Sequence, residues 1–334
     1  MEPFISIIIP AYNVTAYISD CLESVLSQDV DYNSYEIIVV DDCSPYEEQK
    51  IIDSYIKRHK NVRYIRHEIN KRQGGARNTG IRAANGKYVM FLDADDFLVY
   101  RNTLSVLLEA INKYEPLVLR SEWYEIYSSD DCFESSRMPL MEKEPRHSIK
   151  NFTSWRLGNM SCSVCSTLYS RVFLLNNKLF FRENVLYEDT DWTQKVMFYA
   201  KSIDFLDFAF YGYRQTLGST TRGHSIDSFR GAIEGVIEEK KWYDSLDVTI
   251  DFRNYINEII TDNAIGFLKF SRDYPITVSI ANIKRLNRSG LTLIKSKRMC
   301  KNIILFLMRY VPLLCVCIIK LMIYVKRFAK KLIP

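Results

Sequence analysis

The sequence predicts an α/β protein, in which a mostly parallel sheet flanked by helices is followed by a helical C-terminal region. Four short, mostly apolar runs lie within the first 92 residues, and the first of them is rich in β-branched residues. Such runs are typical of strands buried on both faces. Stretches with helical spacing of apolar residues separate them, and this alternation favours a parallel sheet. From Ile226 onward only the helical spacing continues.

The N-terminal elements can be placed in order along the chain. Pro10 is expected to end the first strand, because proline cannot donate to a sheet ladder. Beyond residue 115 the pattern is mixed, with short β-like runs at 117–119 and 203–208. The predicted strands are 5–9, 35–40, 62–65 and 88–92, and the predicted helices between them cover 17–26 and 51–56.

Polar residues follow three of these strands at the point where each strand ends. Ligands of open parallel sheets bind outside the carboxyl ends of the strands, so these side chains are expected on one rim of the sheet. They are Asn13 after the first strand, Asp41 and Asp42 after the second, and Asp93, Asp95 and Asp96 after the fourth.

The segment 93–96 is the clearest candidate for a chemical function. Its three carboxylates repel one another at neutral pH, so a bound cation would stabilise them. Mg²⁺ or Mn²⁺ is held by one or two carboxylates while substrate phosphates fill the remaining positions. The segment favours a site for a divalent metal and a diphosphate, with a polar turn as the alternative. For Asp41 and Asp42 taken alone, the turn is the simpler interpretation.

A glycine-containing segment at 70–80 adds positive charge. Gly74 and Gly75 permit close backbone approach, and Arg77 can reach a phosphate or pair with the rim carboxylates. The alternative is a glycine turn that caps a helix beginning near Ala76. The sequence has neither the Gly-Lys-[Ser/Thr] of a P-loop nor Gly-x-Gly-x-x-Gly after the first strand, which argues against those two nucleotide-binding classes.

Six motifs occur in a recognisable order along the chain. The first four are Pro10-Ala11-Tyr12-Asn13, Asp41-Asp42-Cys43-Ser44, Gly75-Ala76-Arg77-Asn78-Thr79-Gly80 and Phe91-Leu92-Asp93-Ala94-Asp95-Asp96. Glu188-Asp189 and Tyr211-Gly212-Tyr213-Arg214-Gln215, with Ser219 after it, come later. This series resembles that of family 2 glycosyltransferases over about residues 4–222. The resemblance implies a GT-A fold, an inverting mechanism and a nucleotide-diphosphate sugar donor, with a UDP-sugar expected.

The resemblance also implies a role for each matching residue. The expected nucleotide-sugar-binding residues are Pro10, Ala11, Tyr12, Asn13, Asp42, Arg77, Asp93, Ala94 and Asp95. Within this set Asp42 is expected at the nucleobase and Asp93 near the ribose. Asp95 is the main expected ligand of Mn²⁺ or Mg²⁺, and Asp96 supports it or shares the role. Asp189 is the expected general base, since the family's Glu-Asp motif holds that group.

The sequence departs from the family pattern at Arg72, where glycine is common. The sequence therefore does not determine the backbone path of this loop, although Gly74 and Gly75 can supply the same backbone freedom. The expected domains are 1–115 (nucleotide-sugar-binding half), 116–225 (acceptor-side half), 226–295 (helical extension) and 296–334 (membrane-associating tail).

Charge is unevenly distributed along the chain. Of its 45 Lys and Arg residues, 13 lie in 284–334, which holds no Asp or Glu, leaving 32 against 40 acidic residues elsewhere. The same tail has apolar stretches at 303–308 and 311–325, broken by two cations and a proline. Apolar surface with flanking cations favours an anionic membrane surface, and the internal cations favour lying on the membrane over crossing it. The alternative is a helix packed on the body with a basic exposed face.

Cysteine use and the N-terminal residues bear on location. The eight cysteines are spread thinly, and no basic segment precedes an apolar run near Met1, so we expect reduced thiols and no signal peptide. The pair Cys162 and Cys165 has no second pair at zinc spacing. The four histidines, His59, His67, His147 and His224, have no nucleophile motif nearby. The expected location is cytoplasmic, peripheral on the inner face of a bacterial cell membrane.

The hypothesis that follows is transfer of a sugar to a lipid-linked glycan in bacterial surface polysaccharide synthesis. A nucleotidyltransferase also uses paired aspartates and a metal, but it leaves Glu188 and Asp189 unexplained. A catalytically inactive nucleotide-sugar-binding subunit is the second alternative, and the intact Asp93, Asp95 and Asp189 argue against it. Nucleic acid is not an expected partner, because the basic tail lacks interleaved aromatic residues.

Overall fold

A computed structural model describes residues 2–45, 48–126, 146–151, 164–215, 225–294, 296 and 298–332. The chain divides into two compact units, Met1–Ser219 and Thr220–Pro334. In the described residues the first unit is α/β and the second is helical. This confirms the predicted fold class. The second unit contains both the predicted helical extension and the predicted tail.

The first unit contains an eight-stranded sheet and a three-stranded sheet. The strands are β1 (Ile5–Ala11), β2 (Tyr35–Asp41), β3 (Val62–Arg66), β4 (Tyr88–Phe91), β5 (Phe97–Leu98), β6 (Val118–Arg120), β7 (Trp123–Ile126), β8 (Arg146–Asn151), β9 (Thr167–Ser170), β10 (Ser202–Asp207) and β11 (Tyr211–Arg214). The larger sheet has the order β3-β2-β1-β4-β9-β6-β10-β8, and the smaller has the order β5-β11-β7. Strands β3, β2, β1 and β4 are mutually parallel, and β9 runs antiparallel to β4.

Strand β1 lies at the centre of the parallel part. All its residues are buried, as the β-branched run predicts. It extends to Ala11, two residues beyond the predicted end. Its pairing with β4 ends at Ile8, while its pairing with β2 continues through Pro10 and Ala11. The missing N–H of Pro10 therefore falls where the ladder with β4 has already ended.

Helices pack on this sheet. Those of the first unit are α1 (Ile18–Leu26), α2 (Glu48–Arg58), α3 (Arg72–Ala83), α4 (Thr103–Tyr114), α5 (Arg171–Asn176) and α6 (Asp189–Ala200). The helix expected to begin near Ala76 instead begins at Arg72, so Gly74 and Gly75 lie inside it. Arg72 itself has φ of 63°, a left-handed conformation that glycine adopts without strain. This explains physically why glycine suits the position at which the sequence departs from the family pattern.

The second unit is a cluster of five α-helices in its described part. They are α7 (Ile226–Asp244), α8 (Ile250–Phe267), α9 (Ile276–Arg288), α10 (Met299–Tyr310) and α11 (Pro312–Leu332). The tail thus forms two helices, and Pro312 begins the second, a position that proline tolerates. Residues of all five helices contribute to one hydrophobic core. Among the described residues, no helix combines the length and apolar character needed to span a membrane.

Candidate active site

The carboxyl ends of β1, β2 and β4 form the rim that the sequence predicts. Two turns connect these strand ends directly. The backbone N–H of Asp42 donates to the Ala11 carbonyl at 2.8 Å, and the N–H of Asn13 donates to Ser44 Oγ at 3.1 Å. The loop 10–13 consequently lies beside the Asp42 loop. Within it, Tyr12 is half exposed and Asn13 has φ of 55°.

Asp42 is buried at this rim and held by two donors. Nδ1 of His67 lies 2.7 Å from its Oδ1, and the backbone N–H of Lys71 donates to the same oxygen at 2.8 Å. On the other side of the imidazole, Nε2 lies 2.8 Å from Thr79 Oγ1. Sequence reasoning missed His67 as a site residue. Its position directly after β3 was the available signal, because that is also a strand end on the rim.

Asp41 has a different role from its neighbour. As the last residue of β2 it is fully buried, and its Oδ2 accepts hydrogen bonds from Tyr64 Oη at 2.6 Å and from Arg66 at 2.7 Å. Its Oδ1 accepts the backbone N–H of Ser44 at 2.8 Å. Asp41 therefore closes the turn, as the simpler interpretation of this residue predicts.

The segment 93–96 distributes its three carboxylates among different surroundings. Oδ1 of Asp93 accepts hydrogen bonds from Arg77 at 2.9 Å and from Gln73 Nε2 at 2.8 Å. The Cys165 thiol donates to its Oδ2 at 3.6 Å. Since Gln73 and Lys71 lie in one turn at the start of α3, that turn links Asp93 to Asp42.

Asp96 is enclosed by protein donors. Its Oδ2 accepts a hydrogen bond from Tyr211 Oη at 2.5 Å, and its Oδ1 accepts the backbone N–H of Arg214 at 2.7 Å. Burial, together with the charges of Asp95 and Asp93, raises its pKa well above the ordinary range. These bonds tie the acidic segment to β11. A metal-ligating role for Asp96 stays a prediction. Its bonds to protein donors agree better with the other expected role, in which Asp96 supports Asp95.

Asp95, the expected main metal ligand of this segment, is partly exposed. Burial and the neighbouring charge of Asp93 raise its pKa to about 6. A positive ion beside Asp95 would reverse this penalty, because it favours the ionised form. The oxygen donors of the segment suit a hard ion such as Mg²⁺ or Mn²⁺, so these residues fit the implied metal. Among the described residues, no group of three or more His, Cys, Asp or Glu is arranged so that it could hold a metal ion.

Arg77 bridges two acids that are far apart in sequence. Its guanidinium donates to Glu188 Oε1 at 2.5 Å and to Asp93 Oδ1 at 2.9 Å, and only 3% of the residue is exposed. Burial opposes its charge, but the carboxylates of Asp93 and Glu188 raise its pKa above the ordinary value. The ring of Phe181 lies 5.4 Å from it. Of the two roles predicted for Arg77, the structure shows the pairing with a rim carboxylate; the phosphate contact stays a prediction.

Asp189 begins helix α6, next to this bridge. Burial and the charge of Glu188 raise its pKa to about 7. The neighbouring acids are both engaged: Glu188 pairs with Arg77, and Asp191 pairs with Arg182 and Lys195, both at 2.7 Å. In the described part of the chain Asp189 has no ion pair. A carboxylate that titrates near neutral pH is suited to general base catalysis.

Some predicted features fall outside the described residues. They include the loop with Ser219 and His224, and the cysteines Cys132 and Cys162. The six described cysteines form no disulfide with one another. The assignment of individual residues to nucleotide, metal and base functions stays a prediction.

Comparisons with known proteins bear on the family. The model of the glycosyl transferase family 2 matches residues 6–175, half of the chain. EpsJ of Bacillus subtilis, an uncharacterized glycosyltransferase, is 30% identical over 66% of this chain and 64% of its own length. GgaB of the same organism, a minor teichoic acid biosynthesis protein, is 27% identical over 63% of this chain and 23% of its own.

Solved structures agree with the fold. TarS 1–349 of S. aureus, solved in complex with UDP-GlcNAc, superposes with a TM-score of 0.75 at 21% identity, covering 95% of this chain and 90% of that one. The mannosyltransferase PcManGT of Pyrobaculum calidifontis, in complex with GDP-Man and Mn²⁺, gives 0.57 at 14% identity, covering 96% and 88%. The structural match to TarS and the family match together show that this chain has the GT-A fold and belongs to glycosyl transferase family 2.

Proposed function

We propose that this chain is an inverting enzyme that transfers a sugar from a UDP-sugar to a hydroxyl of a lipid-linked glycan. The observation that carries the proposal is the contrast between Asp189 and its neighbours. Glu188 and Asp191 are committed to ion pairs, whereas Asp189 has a pKa of about 7. A single carboxylate near neutrality suits direct displacement with one base, which inverts the anomeric centre.

The donor would bind along the rim from Asp42 to Asp95. Asp42 would accept a hydrogen bond from the nucleobase, with the half-exposed Tyr12 and the rest of loop 10–13 closing that pocket. Asp93 would lie near the ribose, where Arg77 and Gln73 fix its orientation. The short Ala94 would leave room for the backbone to approach the nucleotide. The UDP-GlcNAc bound by TarS supports a UDP-sugar as the donor.

Mn²⁺ or Mg²⁺ would be held by Asp95 and by the donor's own phosphates, with Asp96 fixing the segment. Such an ion supplies positive charge that stabilises the leaving diphosphate. The remaining chemistry belongs to the chain. The acceptor oxygen forms a bond to the anomeric carbon, the bond from that carbon to the diphosphate breaks, and the acceptor's proton passes to Asp189.

The acceptor and the place of action are also part of the proposal. GgaB is a teichoic acid biosynthesis protein by name, and this relationship supports a role in bacterial surface polysaccharide synthesis. The acceptor would contact the half formed by residues 116–225. A tail with 13 cations and no acid in 284–334 supports action at the inner face of the cell membrane, where lipid-linked acceptors are presented.

The direct test is a screen of nucleotide sugars for release of the nucleoside diphosphate. The full chain is incubated with each donor in Mn²⁺, and the same reaction is repeated in EDTA. Release of UDP from one UDP-sugar, lost in EDTA and restored by Mn²⁺, is the expected result. Release of pyrophosphate from a nucleoside triphosphate would instead identify a nucleotidyltransferase. Metal-dependent UDP binding with no turnover of any donor, when acceptor extracts are added, would identify an inactive binding subunit.

A further inference from the structure

In the part of their side chains that the structure describes, helices α10 and α11 each have two apolar faces, one covered by the second unit and one exposed. The inner face includes Leu305 and Met308 of α10 and Cys315 and Val316 of α11, all of which are buried in the core of that unit. An apolar sequence run cannot distinguish this face from one that points to solvent. The structure does distinguish them.

The outer face of α10 is a stripe of exposed apolar residues. Its members are spaced at i, i+4, i+7 and i+11, which places them on one side of a helix. Each is more than half exposed: Met299, Ile303, Phe306 and Tyr310. Isolated exposed apolar residues are ordinary, but a continuous stripe marks an interaction surface.

Helix α11 continues the pattern with its own outer stripe. The spacing here is i, i+4, i+8 and i+11, which also places the residues on one side of a helix. The residues are exposed: Leu313, Cys317, Leu321 and Tyr324. The two helices are consecutive and pack against each other. We define these eight residues on α10 and α11 as the outer face.

The cations that interrupt the apolar tail are partly directed inward. Lys301 is buried and pairs with Glu258 at 2.9 Å and with Asp262 at 2.7 Å. Nζ of Lys320 donates to the Tyr274 carbonyl at 2.8 Å. Their charges are therefore satisfied by the body of the unit, so neither has to be taken into an apolar phase together with the outer face. Arg298 and Arg309, in contrast, are exposed.

The same inward contacts hold both helices against the unit. Besides the Lys301 and Lys320 contacts, Asn287 Nδ2 donates to the Met308 carbonyl at 2.9 Å. A helix that crossed a membrane would have to leave these partners and withdraw its inner face from the core. The contacts instead favour an arrangement in which both helices stay packed on the unit and expose the outer face at its surface.

Charge decides which partner fits the outer face. The region 284–334 contains 13 cations and no acidic residue. Two copies of this chain meeting through their outer faces would bring like charges together, which opposes self-association. An anionic lipid surface complements the charge, and its acyl boundary accepts the apolar stripe.

We infer that the outer face of α10 and α11 is a docking surface for an anionic bilayer, on which the protein lies without crossing it. The inference specifies which residues enter the lipid, and it combines the two interpretations left open by the sequence, a helix packed on the body and a membrane-associated one. Both descriptions hold, because one face is packed and the other is apolar and available. The inference rests on the membrane location proposed above and makes it more specific. It depends on none of the residues proposed for catalysis or nucleotide binding.

The test is flotation of the full chain with vesicles, either pure phosphatidylcholine or phosphatidylcholine with about one third phosphatidylglycerol. The protein is expected to float with the anionic vesicles, and about 1 M salt should release part of it, since the Debye length falls to about 3 Å. Ile303→Glu and Phe306→Glu should each lower the partition coefficient at least about tenfold, because burial of either side chain is lost. Ile250→Glu is the matched control, since Ile250 is also exposed in the second unit but lies on α8.

Native cysteines report which face is covered. Cys317 belongs to the outer face, and Cys300 lies beside it; both are exposed, whereas Cys43 of the first unit is partly exposed. Labelling with a water-soluble maleimide, mapped by mass spectrometry, should show protection of Cys317 on anionic vesicles and unchanged labelling of Cys43. The inference is overturned if the chain fails to float, if Ile250→Glu and Ile303→Glu weaken binding equally, or if Cys317 is protected in the absence of lipid. UDP binding by the same variants is measured separately, so failure of the docking surface and failure of the proposed chemistry are distinguishable.

Discussion

Nδ1 of His67 lies 2.7 Å from Oδ1 of Asp42, and both side chains are buried at the rim of the parallel sheet. In the described structure the backbone N–H of Lys71 reaches the same oxygen, so both donors act on Oδ1. A buried imidazole between Asp42 and Thr79 fixes the carboxylate in one orientation. We therefore expect nucleotide affinity to depend on His67, which acts by orienting Asp42 and does not itself contact the nucleotide.

The first prediction concerns His67. His67→Leu removes the donor to Asp42 and should raise the Kd for UDP about tenfold, which corresponds to one buried hydrogen bond to a charged group. His67→Asn keeps a donor close to the position of Nδ1 and should restore most of the affinity. Calorimetric titration of UDP in Mn²⁺ measures both variants. Equal affinities for His67→Leu and the wild type would show that Asp42 is oriented without the imidazole.

The second prediction concerns the bridge made by Arg77. Arg77→Met leaves Glu188 and Asp93 without their buried partner, and loss of one member of a buried ion pair typically costs about 3–5 kcal/mol. The free energy of unfolding, measured in urea, should fall by this amount. Arg82→Met on the same helix is the control, because the Arg82 side chain is 55% exposed and lies 3.9 Å from Glu183; its cost should stay below about 1 kcal/mol. Similar losses in the two variants would contradict the bridging role.

The third prediction concerns two glycines inside helices. A Cβ on Gly74 would collide with the Arg182 carbonyl oxygen, whereas a Cβ on Gly266 would meet no atom within 4 Å. Gly74→Ala should therefore destabilise the protein by about 1–3 kcal/mol through overpacking. Gly266→Ala should stabilise it by about 0.5–1 kcal/mol, since alanine favours a helix. Urea denaturation of both variants measures the contrast, and destabilisation of similar size in both would refute it.

The fourth prediction concerns pH. Only the ionised form of Asp189 can accept a proton, and its pKa is raised to about 7. The value of kcat/KM should therefore fall as the pH drops through about 7, well above the range in which an ordinary aspartate titrates. The pKa of about 6 for Asp95 predicts a second loss at lower pH, in the affinity for UDP with Mn²⁺. Profiles of kcat/KM and of UDP affinity between pH 5 and 8.5 separate the two groups; a flat kcat/KM profile down to pH 5 would exclude Asp189 as the base.

The sequence predicts the strands and the site's rim for physical reasons that are local. Buried parallel strands require continuous β-branched runs, as in β1 and β2, and parallel strands end on the same side. The polar residues that follow them are therefore expected together, and contacts among Asp42, Lys71, Gln73 and Asp93 bear this out.

What the sequence could not predict depends on contacts between distant residues. Glu188 lies 111 residues from Arg77, and no local pattern identifies that pairing. No motif identifies His67, because its place in the site depends on its contact with Asp42, which follows the neighbouring strand β2. The early start of α3 depends on the left-handed backbone of Arg72, which propensity does not anticipate. Both faces of α10 carry apolar residues, such as Met308 on the inner face and Phe306 on the outer face, and contacts with the rest of the second unit distinguish them.

The central claim is that Asp189 serves as the base in a site that binds the donor through other residues. The most direct measurement compares kcat and UDP affinity for the wild type and Asp189→Asn, which preserves size and polarity but cannot accept a proton. The account predicts a fall in kcat of about 10²–10⁴ with UDP affinity unchanged. Loss of UDP affinity together with activity, or an unchanged kcat, would contradict it and leave Asp189 with a structural role.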